Sequence, residues 1–259
     1  TATTTDTATN TDTATTTDTG GTAQPFLCKP NHDGQIERAE VPLAAGLSAL
    51  FRFASDLQID SHGDEQLDGT RIWHLGGPFE GDHDAPVATA ALADQWFAAE
   101  YPNATYASAM TQAGDLIGVF EVTDKALLLR GVASADKGLF FTRLTYDPPV
   151  VVLGFPLVQG ATWQTKASVT GWAQGVITVV SETYTSKVDA AGAAETPFGN
   201  FPVLRVVTAM ERTIGIYVEQ LRSQYFVAEC YGTVAALRSH EGETKDEFGD
   251  AAELRRLTP

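Results

Sequence analysis

The run Leu50-Phe51-Arg52-Phe53-Ala54-Ser55-Asp56-Leu57-Gln58-Ile59 decides how the chain is read. Much of it alternates apolar with polar, and a period of two sends successive side chains to opposite faces of a strand. Outward from it, the polar stretch Asp60 to Thr70 reads as a loop, Arg71 to Leu75 as a short strand, and 76–86 as another loop. Short apolar runs then recur at 105–109, 116–123, 126–133, 139–146, 150–157 and 162–169, parted by Gly, Asp or Lys-Gly turns. They continue at 175–184 and 186–189, then after a turn at Asp189-Ala190-Ala191-Gly192 at 196–199, 203–211, 214–218, 222–230 and 232–239. Glu241 to Asp250 is acidic and loop-like, and Ala251 to Leu257 adds one helical turn or a last strand.

Roughly a dozen strands at intervals of about 8–12 residues predict a mainly β fold. The expected architecture is a large antiparallel sheet, half-barrel or sandwich with one helix near residues 87–101. For that helix Val87, Ala91, Leu92, Trp96, Phe97 and Tyr101 recur at helix-like steps, Asp84 supplies a cap, and Pro102 limits its extent. The domain plan is a Thr-rich tether over 1–22 and a β-rich globular domain over 23–259, with a soft sub-boundary near 147–149 at Asp147-Pro148-Pro149.

Composition excludes some partners. The 259 residues carry a formal net charge of -16, with 33 acidic against 17 basic side chains. Such a chain repels phosphate backbones, so nucleic acid is not an expected partner. No apolar run reaches the length of a membrane-spanning helix. Residues 1–22 hold thirteen Thr and no apolar side chain larger than Ala. They cannot bury enough surface to offset the entropy of ordering, so they read as an extended tether.

Two cysteines, Cys28 and Cys230, allow one intramolecular pair. A bridge would close a loop of about 200 residues and remove about 4–5 kcal/mol of denatured-state entropy. Two unrelated buried thiols are the alternative. For an exported chain the disulfide is the expected state.

Three resemblances add expectations. The leader resembles the tethers that follow the lipid-bearing Cys of bacterial lipoproteins, which implies a lipid anchor outside this sequence as the one route to a membrane. Asn31-His32-Asp33-Gly34-Gln35-Ile36-Glu37-Arg38-Ala39-Glu40 resembles the calcium loop of EF-hand and dockerin-type proteins. In that register Asn31, Asp33, Gln35 (through its carbonyl), Glu37 and Glu40 fall on coordinating positions, with Gly34 and Ile36 on structural ones, so weakly bound calcium is the implied cofactor. Lys29 stands where the family has Asp, and Pro30 and Pro42 deny the loop its flanking helices. The competing reading is a turn held by side-chain-to-backbone hydrogen bonds. Over residues 148–239 the chain resembles uncharacterised predicted secreted proteins and lipoproteins of Gram-negative bacteria. Phe155-Pro156-Leu157 with Gly160 and Trp163, then Thr196-Pro197-Phe198-Gly199-Asn200-Phe201, carry that likeness. It implies an envelope β domain, in the periplasm or at the outer-membrane surface, and brings no catalytic residue.

No nucleophile elbow, HExxH, Walker loop or GxGxxG is present in the sequence. The acidic and histidine-rich stretch from Asp56 through His62, Asp64, Glu65, Asp68 and His74 to Asp82, His83 and Asp84 offers oxygen and imidazole ligands, but reads first as solvated loop. The aromatics Phe155, Trp163, Trp172, Phe198, Phe201, Tyr217, Tyr225 and Phe226 read as core, or as the lining of an apolar cavity. Three functions remain open. The first is a non-enzymatic exported module that binds a partner protein, a glycan or an apolar molecule, or serves structurally. The second is a periplasmic carrier of a lipid-like ligand, which a continuous apolar cavity would favour. The third is a metal-dependent hydrolase, which converging carboxylate and His ligands would favour.

Overall fold

The computed structural model describes residues 28–259, so the expected tether over 1–22 lies outside the described residues. The strands are β1 (Gln35–Ile36), β2 (Ser48–Gln58), β3 (Asp64–Glu65), β4 (Arg71–His74), β5 (His83–Ala91), β6 (Tyr106–Ala109), β7 (Leu116–Val122) and β8 (Ala126–Ser134). They continue with β9 (Arg143–Gly154), β10 (Leu157–Val158), β11 (Thr162–Ala173), β12 (Val176–Glu195), β13 (Asn200–Ile214), β14 (Tyr217–Ala228), β15 (Gly232–Ser239) and β16 (Asp250–Leu257).

Twelve of them close into a barrel in the order β2-β5-β6-β7-β8-β9-β11-β12-β13-β14-β15-β16, each antiparallel to the next. β16 returns to β2, from Leu257↔Phe51 to Asp250↔Gln58. The β11–β12 ladder from Thr162↔Lys187 to Ala173↔Val176 seals the wall on the far side. The predicted antiparallel sheet is therefore present, and it goes beyond a half-barrel to full closure, which removes its free edges.

Alternation fixes which face is inside. On β11, Thr165, Ala167 and Val169 are buried while Gln164, Lys166, Ser168 and Thr170 are exposed. Leu129, Val132, Tyr146, Val150, Ala167 and Val169 form one buried cluster made of wall residues alone, with no segment lying over them. Side chains bury one another in this way only on a concave surface, so this face is the interior. The outward face of β11 is polar, the reverse of the apolar outer band of a membrane-spanning barrel.

The outer wall carries two covers. Residues 59–82, with β3 and β4, lie over β12 to β16 and β2; β4 runs parallel to the end of β12, from Arg71↔Gly192 to His74↔Glu195. Trp73 and Leu75 are fully buried there, and the Trp73 ring meets Phe226 edge-on at 5.0 Å. The second cover packs Leu92, Trp96, Phe97 and Tyr101 onto Ala107, Val119 and Ala133. Tyr101 enters a slot that exists because residue 131 is glycine; a Cβ there would stand 2.2 Å from its ring.

The helix expected at 87–101 is not formed. Residues 83–91 are strand β5, and two 3-10 turns follow at Leu92–Asp94 and Ala98–Glu100. Ala85, Val87 and Thr89 are half-buried on the inner face while Ala88 and Ala90 are exposed, so a period of two holds where a helix was read. The helix-like spacing of Leu92, Trp96, Phe97 and Tyr101 comes from turns that seat these side chains on the outer wall, with Trp96 Nε1 donating to the Ser134 carbonyl at 2.9 Å. The turn expected at Asp189 is a bulge between Val188 and Ala190 inside the 20-residue β12. Asp147-Pro148-Pro149 lies inside β9, which runs on through it.

Candidate functional site: the barrel interior above a stapled plug

One barrel end is defined by the β14–β15 turn and the β9–β11 connection, and the chain from Cys28 to Leu47 crosses it. A disulfide joins Cys28 to Cys230 with the Cα atoms 5.4 Å apart, as the cysteine count predicts. The Cys230 N–H donates to the Glu40 carbonyl at 2.7 Å. Glu229 Oε2 accepts from the backbone N–H groups of Asn31 (2.7 Å) and His32 (3.1 Å). On the opposite side β1 pairs with β10, Gln35↔Val158 and Ile36↔Leu157. Ile36 and Val41 are buried among inward residues from distant strands, including Tyr106, Leu153, Leu204 and Val227. The segment is a plug.

The residues of the expected calcium loop build this plug's first turn. Asn31 Oδ1 accepts from the Asp33 N–H at 2.9 Å, and its Nδ2 donates to Glu40 Oε1 at 2.8 Å. Asp33 accepts from the Gln35 N–H (3.0 Å) and from Gln35 Nε2 (3.2 Å). Glu40 Oε2 accepts from the Glu37 N–H at 2.8 Å. His32 and Gly34 take positive φ, 55° and 86°, to make the bend. The side-chain oxygens of Asn31, Asp33 and Glu40 are thus engaged with N–H donors, while the Glu37 side chain lies on the exposed side. Among the described residues no group of three or more His, Cys, Asp or Glu is arranged to hold a metal ion.

Above the plug, burial differs between the two faces of the wall. On β14, β15 and β16 the outward side chains Gln224, Phe226, Leu237, Ala251, Leu254 and Arg256 are buried beneath the 59–82 cover and Phe248. Of their inward neighbours, Leu221, Tyr225 and Arg255, with Phe51 and Val87 across the seam, are half-buried, while Phe53 and Ala236 are buried. Water reaches a side chain inside a closed wall only through the lumen. Inside this part of the wall lies a cavity of about 100 Å³ bordered by Phe53, Ala85, Val87 and Met110, while inward Ala236 and Val227 are buried.

Three arginines point into it by register. Arg212 donates to Glu182 at 2.7 Å and to Glu219 at 3.2 Å. Glu182 is 1% exposed and also accepts from the Tyr184 hydroxyl at 2.5 Å. Burial works against the Arg212 charge, yet Glu182 beside it holds the guanidinium above its usual pKa. Burial also pushes the Tyr146 and Tyr184 hydroxyls up, so both stay protonated. Arg238 lies 3.6 Å from Glu253. Arg255 has no carboxylate within 4.0 Å and no side-chain hydrogen bond among the described residues, and it borders a small cavity of about 100 Å³ with Phe53, Ala85, Val87, Met110 and Gln112.

A larger groove of about 520 Å³ lies outside the plugged end, between the plug, the β3–β4 hairpin and the bases of β12 to β14. Ile36, Ile72, Ala193, Phe201 and Tyr231 line it. Its Arg71 is engaged with Glu247 at 2.9 Å. No known protein family, curated protein or solved structure matches the chain.

The acidic and histidine stretch does not converge on one centre. His74 sits between Glu195 (2.6 Å) and Asp64 (3.0 Å) on the surface, while Asp82 pairs with Arg256, Asp84 with Arg52, and Asp68 accepts from Thr70. Of the singled-out aromatics, Phe226 belongs to the outer core and Trp163 to the inner one, donating to the Val151 carbonyl at 3.0 Å. Tyr225 faces the lumen, and Phe198 and Phe201 gather with Tyr231 at the outer groove. Sequence reasoning missed Arg212, Arg238 and Arg255. Their shared signal is an arginine on the apolar-facing phase of a strand, visible only once that phase is known to face inward.

Proposed function

We propose that this chain is an exported carrier that holds an apolar, lipid-like small molecule in the barrel lumen. The observation behind this reading is the contrast on β14 to β16, where outward side chains are sealed while inward Leu221, Tyr225 and Arg255 keep some exposure beside a cavity. A barrel closed at one end by a plug and lined by apolar groups is a ligand cup of the kind small barrels provide. The disulfide fits an oxidising compartment. The periplasm or the outer-membrane surface is the location we propose, on the strength of the lipoprotein-like leader. The half-exposed rims of Phe198 and Tyr231 at the outer groove favour a second reading, a partner- or glycan-binding face at the plugged end.

The test is titration with a neutral naphthylamine probe whose emission rises in apolar surroundings. The wild-type protein should bind it, and a long-chain alcohol should displace it. Ala85→Trp, which fills the lumen, should weaken binding by about tenfold or more, while Ala88→Trp on the outward face of the same strand should not. No probe binding by the wild type, or equal losses in both variants, would overturn the carrier reading.

A further inference from the structure

Resting on that reading, we infer that the ligand is a single-chain amphiphile with a carboxylate head, and that Arg255 receives the head group. Arg255 faces inward by its pairing with Phe53 on one side and Ala236 on the other. Its neighbours in sequence and space have partners: Arg256 on the outward face binds Asp82, Arg52 binds Asp84, and the inward Arg238 and Arg212 have Glu253 and Glu182. Arg255 alone among these five has no carboxylate partner among the described residues. A half-buried cation without a partner is costly to keep. An incoming anion would remove that cost.

The surroundings define the anion. The cavity beside Arg255 is about 100 Å³, room for a small anionic group such as a carboxylate. A guanidinium grips a carboxylate through two parallel N–H bonds. Below Arg255, toward the plug, the inward residue Phe51 is apolar, and Tyr225 presents its ring in the same row as Ala236. Head at Arg255 and chain toward Phe51 and Tyr225 is the polarity this lining supports. Glu253, the nearest inward carboxylate on β16, is neutralised by Arg238.

Competition against the neutral probe separates this inference from the carrier reading. Dodecanoate should displace the probe from wild type about tenfold or more better than dodecanol, the size expected for a charge-assisted hydrogen bond. Arg255→Gln should bind probe and dodecanol as before and lose the preference; Arg255→Lys should retain part of it. Retained probe binding shows that the variant is folded. Equal displacement by acid and alcohol in wild type, or an undiminished preference in Arg255→Gln, would overturn the role of Arg255 and leave the apolar lumen standing. Failure of wild type to bind the probe at all would overturn both.

Discussion

Arg205 ties the outer cover to the wall. It points outward from β13, is fully buried, and donates to Asp189 (3.0 and 2.5 Å), Glu247 (2.6 and 3.1 Å) and the Ser61 carbonyl (2.6 Å) beneath the Trp73 ring. Burial alone would raise the Glu247 pKa, but Arg205 and then Arg71 outweigh it and hold the carboxyl below its ordinary 4.5. A carboxylate with a lowered folded pKa contributes stability above its unfolded value and loses it as pH falls through the folded one. Glu247→Gln should therefore be less stable at neutral pH, and its stability should decline less on acidification below 4.5, as read from urea midpoints. An acid limb of unchanged slope would contradict this account. His74, raised by Glu195 and then Asp64, acts in the opposite sense: its contribution is full below 6.5 and fades as pH rises through the raised value, and exposure keeps it small. The cysteine pair was legible at this scale because two cysteines permit one bridge. The burial of Arg205 was not, since nothing local tells that residues 59–82 fold back over β13.

The plug is the element that makes a cup out of a tube. It is held by the disulfide, by the β1–β10 pairing and by Ile36 and Val41 in the inner core, so its polar turn has a structural task of its own. Asp33→Ala should lower the melting temperature by the same amount in calcium and in a chelator, because the lost contacts are the two Gln35 bonds; a deficit seen only in calcium would restore the ion. Elements with clean alternation, such as β11, could be read from the sequence because one face is apolar for a physical reason. The 87–101 stretch was misread because strand β5 and two turns together mimic helical spacing. The length of β12 was hidden by the Ala-Gly run at 190–192, which looks like a turn but packs under β4, where a Cβ on Gly192 would come within 1.9 Å of the Arg71 carbonyl.

At the scale of the whole molecule, strand number and spacing pointed to a large antiparallel sheet, but not to closure, which depends on β2 meeting β16 from opposite ends of the described chain. Which face became the lumen was equally hidden, because covers on the outside make both faces of β13 to β16 apolar. Removing residues 250–259 should leave unpaired edges on β2 and β15 and give self-associated species by size-exclusion chromatography; a monomeric product would show that the wall tolerates a gap. That seam also sets a timetable for biogenesis. β16 is synthesised after the other described strands of the wall, and Cys28 must wait for Cys230. A nascent chain released from the ribosome or a translocation channel, N-terminus first, thus spends its whole emergence as an unsealed sheet. Closure of the wall would then be one late, cooperative event, with the edges of β2 and β15 open to wrong pairing until β16 is delivered.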